Sequence, residues 1–152
     1  MAEVMIRETT DESEALSSLR HTVSHVMAQA LKRLWPDAQL AIGPSIADGF
    51  YYDFDLEHRF SDEDLAAIEK EMKKIIKSGY KLEQYDLSRE DALRWADESR
   101  EPYKRELIED LPDEQELSFY RIEEFDDLCR GPHITGTGKI KAFKLLSVAG
   151  AY

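Results

Sequence analysis

Residues 17–37 read SSLRHTVSHVMAQALKRLWPD, and the spacing of their apolar side chains decides the fold class. Leu19, Val23, Val26, Met27, Ala30 and Leu34 recur with helical period, predicting a helix that opens at Ser17 or Ser18 and is ended by Trp35-Pro36-Asp37. The sixteen residues before it carry little pattern beyond Val4 and Ile6, and read as a tail or the end of an upstream element.

Working outward, a second helix is expected from Ser61, whose hydroxyl can cap it while Asp64 reaches back, through Leu65, Ile68, Met72, Ile75 and Ile76 to Gly79. A third follows Ser88 with Asp91 at the same capping spacing, and a fourth opens at Pro102, which suits a first helical position. Between the helices lie candidate strands at 39–42, 50–56, 82–87, 118–122 and 140–148, so the fold class is α+β. In the strand at 50–56, Phe50, Tyr52 and Phe54 fall on one face and Tyr51, Asp53 and Asp55 on the other. Gly131-Pro132 and Thr135-Gly136-Thr137-Gly138 mark a tight turn and a flexible loop around His133.

The chain has 152 residues, enough for one domain with a real core, and its composition is that of a soluble globular protein. No apolar run approaches the ~20 residues of a membrane span, and the polar, acidic start is unlike a signal peptide. The expected setting is cytoplasmic, with no membrane partner. Twenty basic against thirty-two acidic residues give a net charge of -12, which excludes a broad grip on nucleic acid by this chain alone, because that affinity comes from cations meeting phosphates. It leaves open action at the very end of an RNA held by a more basic neighbour, as well as plain solubility. The single cysteine, Cys129, cannot form an internal disulfide.

His21 and His25 are one helical turn apart and can converge on one small target. With Leu19 at zero, the apolar stripe lies at roughly -20° to 80° and the two histidines at roughly 200° to 240°. They therefore face away from the expected core, onto either a solvated face or the wall of a cleft. Downstream, Asp127-Leu128-Cys129-Arg130-Gly131-Pro132-His133 sets the lone cysteine and a third histidine four residues apart. Imidazoles with one thiolate are a ligand mix that zinc accepts; the same groups could seat a water between imidazole bases. A nucleophilic Cys129 with His133 as its base is the weaker option, since a catalytic thiol needs a depressed pKa. The fourth histidine, His58, reads as surface.

The phrases HTVSHVMAQALKRLWPDAQLAIGPSIADGFYYDFD (21–55) and ELIEDLPDEQELSFYRIEEFDDLCRGPHITGTGKIKAFKLLSVAGAY (106–152) resemble the second N-terminal, editing domain of bacterial-type threonyl-tRNA synthetases, from Leu19 onward. That resemblance implies a fold shared with alanyl-tRNA editing domains: a sheet packed with a long N-terminal helix, and a small helical insertion near 60–115. Residues 1–16 would be a tail or linker from an upstream small domain, and 17–152 the editing domain. It implies hydrolytic proofreading of mischarged seryl-tRNA(Thr) by an aminoacyl-tRNA deacylase, with the 3′ aminoacylated end of tRNA(Thr) and the remainder of the synthetase as partners. A second site is needed because serine lacks only one methyl of threonine, a difference that supplies ~1 to 3 kcal/mol of discrimination.

Carried over residue by residue, the resemblance implies a cleft of His21, His25, Cys129 and His133, with His21 or His133 as general base. Asp127 would orient that imidazole, Lys104 would stabilise charge or bind the terminal ribose-phosphate, and Tyr52 would line the pocket. The competing reading of Lys104 is an ordinary exposed helix lysine. The threonyl branch implies no cofactor at the editing site. Alanyl relatives resemble a zinc-bound version, so His21, His25, Cys129 and His133 remain a candidate zinc set; ATP and a second zinc belong to the catalytic domain absent from this chain. The isolated domain is expected to be a monomer. Rival readings are a free-standing deacylase of mischarged alanine tRNA, disfavoured by the threonyl-type phrases, and a non-catalytic domain that positions tRNA.

Overall fold

The computed structural model describes residues 2–112 and 116–147, and the side chains of the described residues from 14 onward. The first helix, α1 (Ala2–Leu34), is longer than its apolar stripe predicts. No Gly or Pro interrupts residues 2–34, so the backbone continues helical through the segment expected to be patternless. It stops where expected, and Lys32 Nζ closes the exit by donating to the carbonyls of Pro36 (3.0 Å) and Ala38 (2.8 Å).

Beyond α1 the chain lays down two small antiparallel pairs. Strand β1 (Gln39–Leu40) pairs with β4 (Phe54–Asp55), and β2 (Ser45–Ile46) with β3 (Gly49–Phe50). The expected strand at 50–56 is thus broken, with Tyr51, Tyr52 and Asp53 outside regular pairing, yet the face alternation holds: Tyr52 is buried while Tyr51 and Asp53 are exposed.

Helix α2 (Asp62–Ser78) follows its local signals. The Ser61 side chain accepts the N–H of Asp64, the Asp64 carboxylate accepts the N–H of Ser61, and Gly79 ends the helix in the left-handed conformation at φ 62°. Helices α3 (Arg89–Glu98), capped by Ser88, and α4 (Pro102–Asp110) also start where expected.

The main sheet is three-stranded and antiparallel, in the order β5 (Leu82–Leu87), β6 (Leu117–Ile122), β7 (Phe125–Leu128). Directly paired residues share a face, so its register separates two layers. Phe119 sits opposite Leu128, and with Leu117 they pack against Ala92, Ala96 and Ile108 of α3 and α4. Tyr120 sits opposite Asp127 and Ile122 opposite Phe125. Ile122 and Phe125 join the larger core built by α1 and α2 around Val26, Leu31, Met72 and Ile75. The inward step of β7 that buries Phe125 therefore also carries Asp127 beneath α1.

Two expectations are corrected. Among the described residues of 140–148 no strand forms; Leu145 N–H donates to Glu69 Oε1 of α2 at 2.9 Å instead of to a neighbouring strand. Val148 lies outside the described residues. The loop at 135–138 is pinned rather than flexible: Thr137 is wholly buried, its N–H donates to Tyr80 O, and its hydroxyl donates to Ile75 O and accepts Tyr80 N–H. Among the described residues, no helix is long and apolar enough to cross a membrane.

Candidate functional site

The middle of α1 is buried on more than its apolar stripe. Thr22, Ser24, His25 and Gln29 are as inaccessible as Val23 and Val26, because β7 and the turn after it cover the side that the stripe leaves free. The reading of a solvated face is thereby removed. His21 is half-buried and His25 buried at 3% exposure.

Cys129 continues the β6–β7 ladder, its N–H donating to Ser118 O at 3.0 Å. Gly131, at φ 73°, then turns the chain so that His133 comes back over it. One ligand atom from each of His21, His25, Cys129 and His133 lies within 4.8 Å of all the others. His21 Nε2 is 3.1 Å from His25 Nε2, and Cys129 Sγ is 3.0 Å from His133 Nε2. The His21 and His133 rings stack at 4.1 Å, and His25 meets His133 edge-on at 4.6 Å.

Behind the imidazoles lies a buried polar assembly. Asp127 Oδ2 accepts the Tyr52 hydroxyl proton at 2.6 Å and faces His25 Nδ1 at 3.3 Å. Asp127 Oδ1 meets Lys104 Nζ at 2.8 Å, and the same ammonium donates to the Tyr52 hydroxyl at 3.0 Å. Lys104 is 3% exposed, which removes the reading of an exposed helix lysine; its charge is committed to Asp127 and Tyr52. The imidazole nearest Asp127 is His25, rather than His21 or His133. Tyr52 is itself wedged against Gly43, where a Cβ would overlap its ring.

Burial governs the protonation states. Desolvation and the neighbouring imidazole and ammonium hold His25 well below the usual histidine range, so its 3.3 Å approach to Asp127 is that of a neutral ring beside a carboxylate rather than an ion pair. His133 is lowered to about 2 by burial and by the other two histidines. His21 is also lowered by burial, but the carbonyl of Pro132 and the charge of Asp127 pull it back up. Burial pushes the Cys129 thiol up to about 12, which opposes a nucleophilic role. Tyr52, desolvated and beside Asp127, stays a neutral phenol.

The donor set fits a zinc-type ion by its chemistry. Two of the imidazoles have an acceptor for an Nδ1–H, namely Pro132 O at 3.4 Å for His21 and Thr22 Oγ1 at 2.9 Å for His133, and Asp127 Oδ2 lies 3.3 Å from His25 Nδ1, an outer arrangement of the kind that metal-binding histidines use. That tautomer set aims bare Nε2 atoms of His21 and His25 at each other, an opposition relieved by a cation, by a proton on one of them, or by a hydrogen-bonding water.

Two larger voids border this cluster without containing it. One of about 420 Å³ beneath Trp95 and Glu101 reaches the site at Asp127, and one of about 620 Å³ between α1 and residues 142–147 reaches it at Tyr52. Convergent polar groups, rather than volume, mark the place for chemistry. Thr22, Ser24 and Tyr120 complete the walls: Ser24 donates to Gly43 O at 2.6 Å, and the Tyr120 ring contacts His133 at 4.4 Å. The small polar residues interleaved with His21 and His25 were the available sequence signal, since a solvated face has no need of Thr and Ser at those positions. His58 is exposed and bonded to Asp64, as expected of a surface residue.

Residues 117–150, which include Cys129 and His133, match the family described as threonyl and alanyl tRNA synthetase second additional domain. The chain is also similar to the threonine--tRNA ligase of Acetivibrio thermocellus, 61% identical over 95% of this chain and 23% of that protein. It is 56% identical to the threonine--tRNA ligase of Clostridium tetani and 57% to that of Caldanaerobacter subterraneus, in each case over 95% of this chain and 22% of the relative. The chain spans less than a quarter of the length of these relatives.

Proposed function

We propose, from the premise that this chain is homologous to one segment of the threonyl-tRNA synthetases and carries their second additional domain, that its His/Cys cleft hydrolyses seryl-tRNA(Thr). The observation that carries the reading is the chain of contacts Lys104–Asp127–His25–His21, a buried charge pair that fixes one imidazole against another at the open side of the site.

In this mechanism a water is held among the imidazole Nε2 atoms, and His21 is the general base. His21 is the least buried of the three site histidines, and Asp127 favours its protonated form. His133, held near 2, accepts a hydrogen bond and orients the water without removing its proton. The water oxygen bonds to the ester carbonyl carbon while His21 takes its proton. When the carbon–oxygen bond to the ribose breaks, the His21 imidazolium returns that proton to the ribose oxygen, freeing serine and the tRNA 3′ end. Asp127 stabilises the transient imidazolium through His25, and Lys104 and Tyr52 hold Asp127 in place. Threonine is spared because its extra methyl displaces the attacking water.

Should zinc bind, His21, His25, Cys129 and His133 would hold it, and it would supply Lewis-acid polarisation. The deciding experiment is release of labelled serine from seryl-tRNA(Thr) by this chain, with threonyl-tRNA(Thr) and seryl-tRNA(Ser) as controls, with and without a chelator. The protein must be concentrated, because an acidic chain binds tRNA weakly. Serine release that spares threonine, survives the chelator and disappears in His21→Asn supports the mechanism. Release abolished by the chelator transfers the chemistry to a metal, and no release at any concentration sinks the catalytic reading.

A further inference from the structure

Thr22 lies between the two turns that carry His21 and His25, wholly buried, and its hydroxyl meets three groups. Oγ1 donates to Ser18 O at 2.7 Å, accepts Ile134 N–H at 3.2 Å and lies 2.9 Å from His133 Nδ1. A hydroxyl has one proton and two lone pairs. With the proton on Ser18 O, the lone pairs are left for Ile134 N–H and an Nδ1–H of His133. His133 Nε2 is then bare and accepts the Cys129 thiol proton across 3.0 Å, while the sulfur accepts Gly131 N–H at 3.1 Å.

The reverse assignment satisfies fewer groups. Spending the Thr22 proton on Nδ1 turns an Nε2–H toward a sulfur that already accepts from Gly131. The half-buried thiol hydrogen then has no acceptor among the described residues. Buried polar groups settle into the arrangement that leaves fewest unpaired.

We infer that Thr22 is a positioning residue for the hydrolysis proposed above: by accepting the Nδ1–H of His133 while anchored to Ser18 and Ile134, it holds that imidazole in the tautomer that presents a bare Nε2 to the cleft. The catalytic consequence rests on the proposed function, whereas the tautomer itself does not. The Nε2 lone pair takes one donor at a time, the Cys129 thiol or a water, and a water that takes the thiol's place there has its own lone pair free for the ester carbonyl carbon. The opposite tautomer would offer that water a donor and turn its lone pair away from the substrate.

The test compares the chain with Thr22→Val and Thr22→Ser by long-range ¹H–¹⁵N NMR of the imidazoles at pH 7.5, with His133→Asn assigning the signals. Wild type and Thr22→Ser are expected to show His133 as Nδ1–H, and Thr22→Val to shift it toward Nε2–H. In the serine-release assay, Thr22→Val should lower kcat about tenfold or more with KM little changed, and Thr22→Ser should recover most of it. An Nε2–H signature for His133 in the wild-type chain overturns the inference, as does a folded Thr22→Val with unchanged tautomer. If Thr22→Val does not fold, the wild-type and Thr22→Ser signatures still decide the matter. A chain that shows the Nδ1–H signature but releases no serine would defeat the proposed function and leave the tautomer assignment standing.

Discussion

Helices α1 and α2 pack against each other and bury comparable aliphatic stripes, yet they are held by opposite means. In α2 most polar side chains face water, apart from Glu69 and Glu71, which meet Leu145 and Arg33, and its ends are closed by neighbours in sequence: Ser61, Asp64 and Gly79. In α1 the polar side chains Thr22, Ser24, His25 and Gln29 are inside, with partners at Ile134, Gly43, Asp127 and Ile122. A helix whose hydrogen bonds are local can be exchanged or trimmed with limited loss. One whose buried polar side chains also lean on distant segments loses more when those segments are removed, and this second kind is where the candidate site is built.

The sharpest way to break the comparison is at the far end of the polar assembly. Lys104→Met leaves the Asp127 carboxylate buried without its counterion, and should destabilise the fold by about 3 to 5 kcal/mol in urea titrations. Lys104→Met with Asp127→Leu removes both charges and should recover much of that stability while serine release stays lost. A double variant no more stable than the single would show that the ion pair is not the source of the loss.

Next in size is the response to acid. His25 and His133 are neutral in the fold, their pKa values lie below the unfolded value near 6.5, and the unfolded chain therefore binds more protons as the pH falls. Their contribution is intact above about pH 6.5 and is lost progressively below it, by at most about 2 kcal/mol per imidazole at pH 5. The carboxylates lowered on α2, Asp64 and Glu69, titrate further down. Melting temperatures should fall between pH 7.5 and 5, with a shallower slope in His133→Asn. An unchanged slope in that variant would remove His133 as a source of the acid sensitivity and leave it to His25 or to groups outside the cluster.

The same division explains what was legible in the sequence. Helices α2 and α3 could be read because their caps are written within a few residues, α4 because Pro102 opens it, and the strands β5 and β6 because their pairing pattern is regular. Strand β7 was hidden, since Asp126 and Asp127 give FDDL the look of a turn until Phe125 and Asp127 are seen sharing an inward face. The stretch 140–147 shows the reverse error. Ile140 and Leu145 are buried, but five residues apart they would fall on opposite faces of a strand, and α2 meets the backbone with a carboxylate instead of a strand edge. At the site, histidine and cysteine spacing together with resemblance named the cluster. Lys104 stood between a surface and a buried reading until α4 was placed, and Thr22 went unread because its value lies in where His133 returns.

The smallest expected effects are at the ends of α2, and they test whether its local character is real. Ser61→Ala removes the acceptor for Asp64 N–H on an exposed turn, where water can replace it, so the loss should be about 1 kcal/mol. Gly79→Ala meets no crowding, since nothing lies within 4 Å of the added Cβ. It does force a side chain into the left-handed region at φ 62°, which again costs about 1 kcal/mol. The two losses should add, because the caps are at opposite ends of the helix and share no partner. Serine release per folded molecule should not change, because neither residue touches the polar assembly. If either variant lowers kcat while the chain stays folded, α2 transmits its position to α1 and the site, and the separation of a locally closed helix from a distantly matched one does not hold.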